Sequence, residues 1–482
     1  MAYRDLREFI DVLKKNGELL QINEEFDQDL EISAAADYAS KNDLPALLFN
    51  NVKNTDIPVL INAYGSFKRM NLALEMENPQ ALADRIGNLF IETPPAGLLD
   101  KLKTLGKLKD LADFFPQKVS DGPCQEIVSE DVDLFKLPVI KCWPQDGGRF
   151  FTLPLVFTRD PETGKMNCGI YRMQIFDRNT TGMHWHIHKH GALHFRKSSR
   201  LEKPLDVAVA IGPDPAVTFS GAVPLPEGID EMAFAGFVRK KAVKMVKCKT
   251  IDLYVPANSE FVLEGYVQPG ETRTEGPFGD HTGFYSLEDE YPVFHVNCIT
   301  HRKDPIYHAT VVGRPPMEDC YMGAVIGRIF LPVIQKQFPE IIDMNMPFEG
   351  VFHNLLIVSI DKHYPGHARK IMNGIWSLGQ AMFTKVIIVV DKDVNVHDLS
   401  EVTWKVLNNI DPERDSQFIL GPLDALDHAS RLPHYGSKVG IDGTKKTKEE
   451  GFTRNWPEEL SMPTNVIEKV QGIFNSLYIN KK

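Results

Sequence analysis

The sequence has few cysteines and lacks several common catalytic motifs. Its 482 residues include six cysteines, which lie far apart and form no C-x-x-C pair. Neither a disulfide framework nor a cysteine zinc site is predicted, and a reducing, cytoplasmic location is expected. No G-x-G-x-x-G, G-x-x-x-x-G-K-[ST], H-E-x-x-H or G-x-S-x-G motif occurs. Their absence counts against dinucleotide enzymes of the usual kind, P-loop ATPases, zincins and α/β-hydrolases.

The chain also lacks an excess of basic residues and a long apolar run. Its 54 Lys and Arg against 65 Asp and Glu give a formal charge of −11, whereas a nucleic-acid-binding surface needs basic residues. No run reaches the roughly 18 apolar residues of a membrane span, and the N-terminus predicts a helix over Leu6 to Leu13 rather than a signal peptide. We expect no nucleic-acid partner and no transmembrane segment, although a hydrophobic substrate leaves peripheral membrane contact open.

What the chain does contain is three successive patterns, which predict three domains over 1–115, 116–307 and 308–482. The first mixes helical spacing, as at 30–39, with short apolar runs at 46–49 and 59–61. The second has extended runs between Gly, Pro and Asp that are typical of a β-barrel or sandwich, interrupted by one helix over 230–246. The third returns to α/β, with buried strands predicted at 355–360 and 386–390. A linker is predicted over 113–125, which carries two prolines and a glycine.

The stretch MHWHIHKHG concentrates four histidines, His184, His186, His188 and His190. In a β-strand these alternating side chains would share one face, and we expect the stretch to be the second strand of a hairpin. Histidine is the commonest metal ligand, so a divalent-metal site is one interpretation. The other interpretation is that these rings merely line a polar face. Spacing does not select one of the four as a ligand.

Upstream, Asn167 and Arg172 lie in the stretch MNCGIYRMQ. A guanidinium recognises a carboxylate or phosphate in a bidentate manner, and an amide oxygen suits a hard metal ion. The two positions have opposite strand parity, so they would share a site only if the chain bends between them. An ordinary loop residue and a surface charge are the simpler interpretation on spacing alone.

Two acids, Glu275 and Asp280, flank a turn in the stretch EGPFGDHTGFY. Its glycines allow a tight turn across which the carboxylates would face one another. Paired carboxylates raise one another's pKa, so that one acid stays protonated near neutral pH. A solvated acidic turn is an equally good interpretation from composition.

Two weaker signals remain. Glu231 falls in the first turn of the predicted helix, where an acid normally interacts with the helix dipole. Near the C-terminus, LPHYGSKVGID places His434 and Lys438 on a predicted glycine-containing loop that offers a cation to a phosphate.

Taken together and in order, the motifs resemble the UbiD family of prenylated-flavin-dependent decarboxylases. The resemblance runs from about Tyr3 to beyond Asp442 and rests on segments spread along the chain. These segments are DLREFIDVLKKNGEL, PALLF, NCGIYRMQ, HKHGA, GAVPLPEGIDEMAFAG, VPANSEFVLEGYV, EGPFGDHTGFY, YHATVVGRPPMED and HYGSKVGID.

The resemblance implies a fold and a set of ligands. The implied fold is mixed α/β and β, with an N-terminal α/β domain, a central split β-barrel like that of flavin reductases, and a C-terminal α/β oligomerisation domain. A manganese-type divalent ion would be held by Asn167, His188 and Glu231 and would bridge to the phosphate of prenylated FMN, with K⁺ as a further ion. The implied cofactor-binding residues are Asn167, Ile170, Tyr171, Arg172, His184, Trp185, His188, Lys189, Glu231 and Lys438.

The resemblance also implies the chemistry. Loss of CO₂ from an sp² carbon leaves an electron pair that a cofactor must accept. Arg172, Glu275 and Asp280 would be the catalytic residues, with Asp280 as the proton donor, Glu275 as its partner and Arg172 orienting the substrate carboxylate. An aspartate at position 280 points to an aromatic acid, since family members that act on acrylic acids have glutamate there.

The expected activity is therefore a reversible, non-oxidative decarboxylation of an aromatic, para-hydroxylated acid, such as a polyprenyl-hydroxybenzoate in ubiquinone or menaquinone biosynthesis. A flavin prenyltransferase would supply the cofactor, and the protein would form dimers or hexamers. A metal-dependent hydrolase built on the histidine tract, and a flavin-binding protein without turnover, are the alternatives.

Overall fold

The N-terminal part of the chain forms a small sheet covered by helices. A computed structural model describes residues 2–90, 113–186, 189–226 and 229–479. The sheet has the strand order β1-β2-β3-β18, in which β18 comes from far along the chain. Its strands are β1 (Leu19–Ile22), β2 (Ala46–Phe49), β3 (Val59–Ile61) and β18 (Tyr307–His308), and its helices are α1 (Leu6–Lys15), α2 (Glu31–Lys41), α3 (Phe67–Ala73) and α4 (Pro79–Phe90).

Helix α1 illustrates how the sequence pattern becomes packing. Leu6, Phe9, Ile10 and Leu13 are buried on one face, as their spacing predicts. The side chain of Asp5 caps the helix by accepting a hydrogen bond from the Glu8 amide at 3.0 Å. The helix therefore begins at a capping acid and is held in place by its apolar face.

The central part is built on a seven-stranded sheet with the order β10-β17-β14-β11-β7-β8, to which β5 adds by pairing with β17. All of these pairings are antiparallel. The strands are β5 (Ile127–Ser129), β7 (Leu155–Arg159), β8 (Met166–Ile170), β10 (Thr180–Gly182), β11 (Leu205–Ile211), β14 (Phe261–Glu275) and β17 (Asp289–His301).

Smaller elements surround this sheet. Three strands form a separate sheet, β4 (Gln117–Val119), β12 (Lys244–Lys247) and β13 (Tyr254–Pro256), and two pairs of short strands lie near the site described below. These pairs are β6 (Phe150–Phe151) with β9 (Met173–Gln174), and β15 (Phe278–Gly279) with β16 (Tyr285–Ser286). The helices are α5 (His190–Arg200), α6 (Pro215–Ala222) and α7 (Glu231–Arg239).

The C-terminal part has a five-stranded sheet in the order β19-β20-β21-β23-β22. Strands β20, β21 and β23 are parallel, and both edge strands are antiparallel to their neighbours. The strands are β19 (Ile341–Asn345), β20 (Leu355–Ile360), β21 (Val386–Asp391), β22 (Ser416–Pro422) and β23 (Tyr435–Asp442). The helices are α8 (Glu318–Gln337), α9 (His367–Ile375), α10 (Leu399–Asn409), α11 (Pro412–Asp415) and α12 (Thr464–Ile479).

The mixed α/β and β fold expected from the sequence is confirmed. Within the described ranges, the outermost strands of the central path, β8 and β10, do not pair with each other, so this sheet is open rather than a closed barrel. The apolar runs at 46–49, 59–61, 205–211 and 355–360 coincide with β2, β3, β11 and β20. No helix in the described part of the chain is long and apolar enough to cross a membrane.

Three local predictions were wrong. The helix expected over 230–246 ends at Arg239, because Lys240 adopts a left-handed conformation (φ 57°) and the chain continues into β12. The segment 113–125, predicted as a linker, contains β4, which pairs in parallel with β12. Helices α5 and α6 also lie in the central region, where only one helix was expected.

A buried carboxylate joins the N-terminal helix to the central sheet. The Glu260 side chain is fully buried and accepts hydrogen bonds from Arg7 Nε at 3.0 Å and Arg7 Nη2 at 2.9 Å. Arg302 Nη1 and the Ile306 amide also donate to it, at 3.4 and 3.0 Å. This cluster connects α1 to the ends of β14 and β17.

Removing this carboxylate should destabilise the protein, because two arginines would lose their buried partner. We expect Glu260→Ala to lower the free energy of unfolding by about 3 kcal/mol, measured as a lower Tm in thermal melts followed by circular dichroism. Glu162→Ala is the control. Glu162 is half exposed and pairs with Lys197 at 3.2 Å, so its loss should cost less than about 1 kcal/mol. Equal Tm shifts in the two variants would contradict the assignment.

Candidate functional site

The site lies where three strand ends of the central region meet. Strand β8 ends at Ile170 and Arg172 follows it, β14 ends at Glu275, and Asp280 comes directly after β15. Gly276 makes the turn between the two acids with φ 105°, a backbone conformation that favours glycine. Strand β8 ends at Ile170, and the chain continues into β9, which pairs with β6 in a different sheet, so Asn167 and Arg172 do not lie on one continuous strand.

Arg172 is clamped between the two acids. Its Nε donates to Glu275 Oε1 at 3.1 Å, its Nη1 forms an ion pair with Asp280 Oδ2, and its Nη2 donates to Ser286 Oγ at 3.0 Å. The guanidinium also lies over the Phe278 ring, 4.6 Å from its centroid. The Arg172 and Asp280 side chains are each 9% exposed, and that of Glu275 is fully buried. Together these contacts fix the orientation of the Arg172 guanidinium plane.

His184 approaches the same cluster from the other side of Glu275. Its Nδ1 lies 2.7 Å from Glu275 Oε1, and its Nε2 lies 2.6 Å from His186 Nε2. Burial, together with the charge of Arg172, lowers the pKa of His184. The second carboxylate oxygen, Glu275 Oε2, is buried without a hydrogen-bond partner among the described residues. A Cβ at Gly182 would lie 2.5 Å from this oxygen, so only glycine leaves room for it.

The expectation that the two carboxylates raise each other's pKa was wrong for Asp280. Burial opposes ionisation, but the hydrogen bond from His281 and the charge of Arg172 outweigh it and lower the pKa of Asp280. The cause is that Arg172 lies between the acids, so each carboxylate faces a cation rather than another anion.

Asn167 and Glu231 form a second, adjacent group. Asn167 lies on β8, and Glu231 is the first residue of α7. Glu231 Oε2 accepts a hydrogen bond from the Cys168 amide at 3.0 Å, which places the carboxylate beside β8. Burial raises the pKa of Glu231 to about 7. No cationic side chain in the described ranges pairs with it.

The predicted histidine strand was wrong. Strand β10 ends at Gly182, which pairs with Val293; the Met183 amide still donates to the Pro292 carbonyl at 2.9 Å, but Pro292 has no N–H with which to continue the ladder. His184 and His186 lie outside any strand, the Trp185 amide donates to the Met183 carbonyl at 2.7 Å, and His190 is already the first residue of α5. His184, His186 and His190 therefore do not share one strand face. His188, expected as a metal ligand, lies outside the described residues.

Lys189, which is half-buried, and Lys438, which is buried, both reach one turn of the C-terminal part. Lys189 Nζ lies 3.3 Å from Gln380 Oε1, and Lys438 Nζ donates to the carbonyl of Met382; both partners lie in the 3₁₀ turn Gly379–Phe383. Burial lowers the pKa of Lys438 to about 8. Lys438 was expected on a loop but lies within β23, since the strand begins at Tyr435.

The remaining expected cofactor residues are Ile170, Tyr171 and Trp185. Tyr171 and Trp185 are buried and meet edge to face, with ring centroids 6.5 Å apart. Ile170 ends β8 and pairs with Leu155. Trp185 Nε1 is buried without a hydrogen-bond partner in the described ranges. A Cβ at Gly191 would come within 2.7 Å of this nitrogen.

These residues suit a phosphate-bearing cofactor and a divalent cation. The buried Glu231 carboxylate and the Asn167 amide offer hard oxygen ligands, and the Glu231 carboxylate is not neutralised by any described side chain. Lys438 is a buried ammonium without a carboxylate partner among the described residues, which suits an anion. Trp185 Nε1 and Glu275 Oε2 are further buried polar atoms that have no hydrogen-bond partner in the described part of the chain. Within the described ranges, no three His, Cys, Asp or Glu side chains are grouped as a metal site.

Comparison with known proteins gives three family matches that together span most of the chain. The N-terminal, Rift-related and C-terminal domains of 3-octaprenyl-4-hydroxybenzoate carboxy-lyase match residues 10–89, 117–315 and 320–443. The chain belongs to the UbiD family. UbiD relatives include uncharacterized proteins of Archaeoglobus fulgidus, 52% identical over 481 residues, and Aquifex aeolicus, 46% identical over 483 residues. Each match covers 99% of both chains.

Solved UbiD-class structures agree over the whole length. The vanillic acid decarboxylase of Sedimentibacter hydroxybenzoicus, in closed form, superposes with a TM-score of 0.86 at 29% identity and covers 99% of both chains. HmfF of Pelotomaculum thermopropionicum, in complex with FMN, gives 0.80 at 27% identity and covers 95% of this chain and 98% of that one. This chain is thus homologous to the prenylated-FMN-dependent decarboxylases, which are carboxy-lyases, and its family includes decarboxylases of aromatic acids.

Sequence reasoning missed several residues of this UbiD site. His281 directly follows Asp280 and contacts it, and its place in the quoted stretch EGPFGDHTGFY could have drawn attention to it. Ser286 and Phe278 hold Arg172. His353 and Asp424, which lie near His281, come from separate segments and carry no local signal.

Loss of the Arg172 charge should leave two buried carboxylates without their shared cation. We expect Arg172→Gln to destabilise the protein by about 3 kcal/mol near pH 7.5. The low pKa of Asp280 stabilises the wild type above the unfolded-state pKa of an aspartate, and this contribution is lost only as the pH falls through the folded value. In the variant Asp280 takes up a proton at higher pH than in the wild type, so the Tm difference should shrink towards pH 5.

Thermal melts at pH 5 and 7.5 measure this effect. Arg178→Gln is the matched control, because Arg178 is an exposed arginine that pairs with Asp131 at 3.2 Å. A Tm difference for Arg172→Gln that stays constant with pH would contradict the role given to the carboxylates.

Proposed function

We propose that this chain catalyses the reversible, non-oxidative decarboxylation of an aromatic, para-hydroxylated carboxylic acid, using prenylated FMN and a divalent metal ion. The observation that carries the proposal is the buried Arg172 held between Glu275 and Asp280, next to unpartnered polar atoms that suit a cofactor. Family membership supplies the reaction class.

Each of the three residues has a role that follows from its contacts. Arg172 is held rigidly and orients the substrate carboxylate, so that the bond to CO₂ breaks in one geometry. Prenylated FMN, when bound, supplies the centre that accepts the electron pair of the broken bond. Asp280 then gives a proton to the ring carbon. Glu275 keeps Arg172 and His184 in place through its Oε1 atom, while its Oε2 atom has no partner among the described residues.

The other site residues would hold the cofactor and its ion. We assign Asn167, His188 and Glu231 to a Mn²⁺-type ion, because a neutral imidazole and two hard oxygens are acceptable ligands for it. Lys189 and Lys438 would face the phosphate, and Ile170, Tyr171, His184 and Trp185 would line the flavin. K⁺ is a further candidate ion.

The substrate class rests on the relatives. The matching family domains are those of a carboxy-lyase named for a polyprenylated 4-hydroxybenzoate, and a relative at 29% identity is a vanillic acid decarboxylase. Both compounds are para-oxygenated benzoic acids. We therefore place the substrate among hydroxybenzoates, with a polyprenylated acid of quinone biosynthesis as one member, which would bring the protein to a membrane surface. A flavin prenyltransferase would supply the cofactor.

The decisive test is turnover of the loaded protein. Protein co-expressed with a flavin prenyltransferase in manganese-containing medium should carry prenylated FMN by absorbance and mass, and should release CO₂ from at least one hydroxybenzoate in a panel. Asp280→Asn should lower kcat by about 10²-fold or more, while Asp252→Asn, at an exposed surface pair, should not change it.

Other outcomes would favour the alternatives. A flavin-free, metal-loaded protein that hydrolyses substrates would favour the hydrolase. Bound flavin without CO₂ release from any acid would favour a non-catalytic binding protein. Full activity of Asp280→Asn would refute the role given to this aspartate.

We also propose the three domains as 1–115, 116–307 and 308–482, close to the segments matched by the three family domains. A cytoplasmic location is supported by the cysteines, since all six thiols are free and buried.

A homo-oligomer is supported by helix α12. Its apolar side chains follow one stripe at helical spacing and are 42–59% exposed; they are Val466, Ile467, Val470, Ile473, Phe474 and Leu477. Exposed apolar side chains also occur on α10 and β22, namely Trp404, Leu407, Phe418 and Leu420. A second copy of the chain offers apolar surface to α12, so we propose that α12 packs on another copy.

Charges in the stripe should weaken this assembly. We expect the double variant Val470→Asp, Ile473→Asp to elute at a lower mass than the wild type in size-exclusion chromatography with light scattering. Asn475→Asp, on the opposite face of α12, is the control and should keep the wild-type mass. A monomeric wild type would contradict the proposal.

A further inference from the structure

Asp280 shares its environment with a pair of histidines. His281 Nδ1 lies 2.9 Å from Asp280 Oδ1, and the His281 amide donates to the same oxygen at 2.7 Å. The other ring nitrogen, His281 Nε2, lies 3.2 Å from His353 Nε2. His353 precedes β20 in the C-terminal part, so the pair joins Asp280 to a different part of the fold.

This geometry restricts the protonation states. Two Nε2 atoms at hydrogen-bonding distance require one to carry a hydrogen and the other a lone pair. An imidazolium at His281 satisfies every contact, because its Nδ1–H points to the Asp280 carboxylate and its Nε2–H to a neutral His353. Asp424 adds negative charge, with Oδ1 4.0 Å from His353 Nε2.

The electrostatics agree with this arrangement. Burial opposes the charge on His281, yet the hydrogen bond and charge of Asp280, followed by the charges of Asp319 and Asp424, raise its pKa. Burial lowers the pKa of His353. The Phe352 ring also packs near His281, at 5.3 Å between centroids. The groups facing His281 are thus three carboxylates, one neutral imidazole and an uncharged ring.

We propose that His281 stores the proton that Asp280 transfers during the reaction, and that His353 and Asp424 position His281 for this role. The inference rests on the proposed function, because it supplies the proton for that decarboxylation. It gives the two C-terminal residues a part in the site as positioning residues.

The proton balance closes with solvent as the source. In the resting pair Asp280 is a carboxylate and His281 an imidazolium. As CO₂ leaves, the Nδ1–H bond of His281 breaks and an O–H bond forms on Asp280. The O–H bond then breaks as the C–H bond of the product forms. His281 is left neutral and regains one proton from water, so one solvent proton is consumed for each CO₂ released.

The first test reads the proton directly and does not need activity. In protein with ¹⁵N-labelled histidine, the His281 signals are identified by their loss in His281→Asn. We expect both ring nitrogens of His281 to be protonated at pH 7, and the midpoint of the titration to fall in Asp280→Asn. A His281 ring that is neutral at pH 6.5, or a midpoint that Asp280→Asn leaves unchanged, would overturn the proposal.

The second test separates proton storage from simple positioning. His281→Asn keeps an N–H donor near Asp280 Oδ1 but holds no extra proton, so we expect kcat of the loaded enzyme to fall by about 10²-fold with KM little changed. Wild-type kcat should fall as the pH rises through the raised pKa of His281, and this limb should be absent in the variant. Wild-type kcat and an unchanged pH profile in His281→Asn would overturn the proposal.

Control variants make the result specific. His295→Asn removes another histidine–carboxylate pair, His295 Nε2 to Glu271 Oε2 at 2.7 Å on β17, and should leave kcat and the pH profile unchanged. His353→Gln should lower the titration midpoint of His281, whereas an unchanged midpoint would count against its positioning role. If wild-type enzyme released no CO₂ from any acid, the proposed function would fail, while the histidine titration would still decide where the proton resides.

Discussion

A guanidinium buried between two carboxylates organises the site. Arg172 contacts Glu275 and Asp280, and through them reaches His184 on one side and His281 on the other. An unpaired charge in a buried position would be costly, so each member requires the others. The strand ends that carry these residues must therefore meet in one arrangement.

The same constraint ties the parts of the chain together. Asp280 belongs to the central region, but the histidine that His281 contacts comes from the C-terminal part, as does Gln380, which Lys189 of the central region contacts. On the other side, the fully buried Glu260 holds the N-terminal helix to the ends of β14 and β17. Strand β18 also returns to the N-terminal sheet after the central strands. Positions far apart in sequence thus meet through buried charge.

Not every buried charge finds a partner among the described residues. The Glu231 carboxylate and the Lys438 ammonium have no ion-pair partner in the described ranges. Burial raises the pKa of Glu231 and lowers the pKa of Lys438, so that each group is more easily neutralised. Such groups differ from Glu260, which four donors surround. This contrast separates positions that stabilise the fold from positions that suit a ligand.

The sequence by itself determined the mixed fold and, through motifs in a fixed order, the family. Strand runs such as 205–211 followed from local apolar patterns, and Arg172, Glu275 and Asp280 could be named because each lies in a distinctive segment.

Other features depended on the tertiary structure. The histidine tract looked like a strand, but the pairing stops after the Met183 amide donates to the carbonyl of Pro292, because this proline on the neighbouring strand has no N–H to return a bond. Asp280 looked like a protonated acid, but its ionisation depends on Arg172 and His281 in space. His353 and Asp424 had no signal in their own segments. Local patterns reflect short-range packing, whereas protonation and long-range pairing depend on which distant side chains share a buried volume.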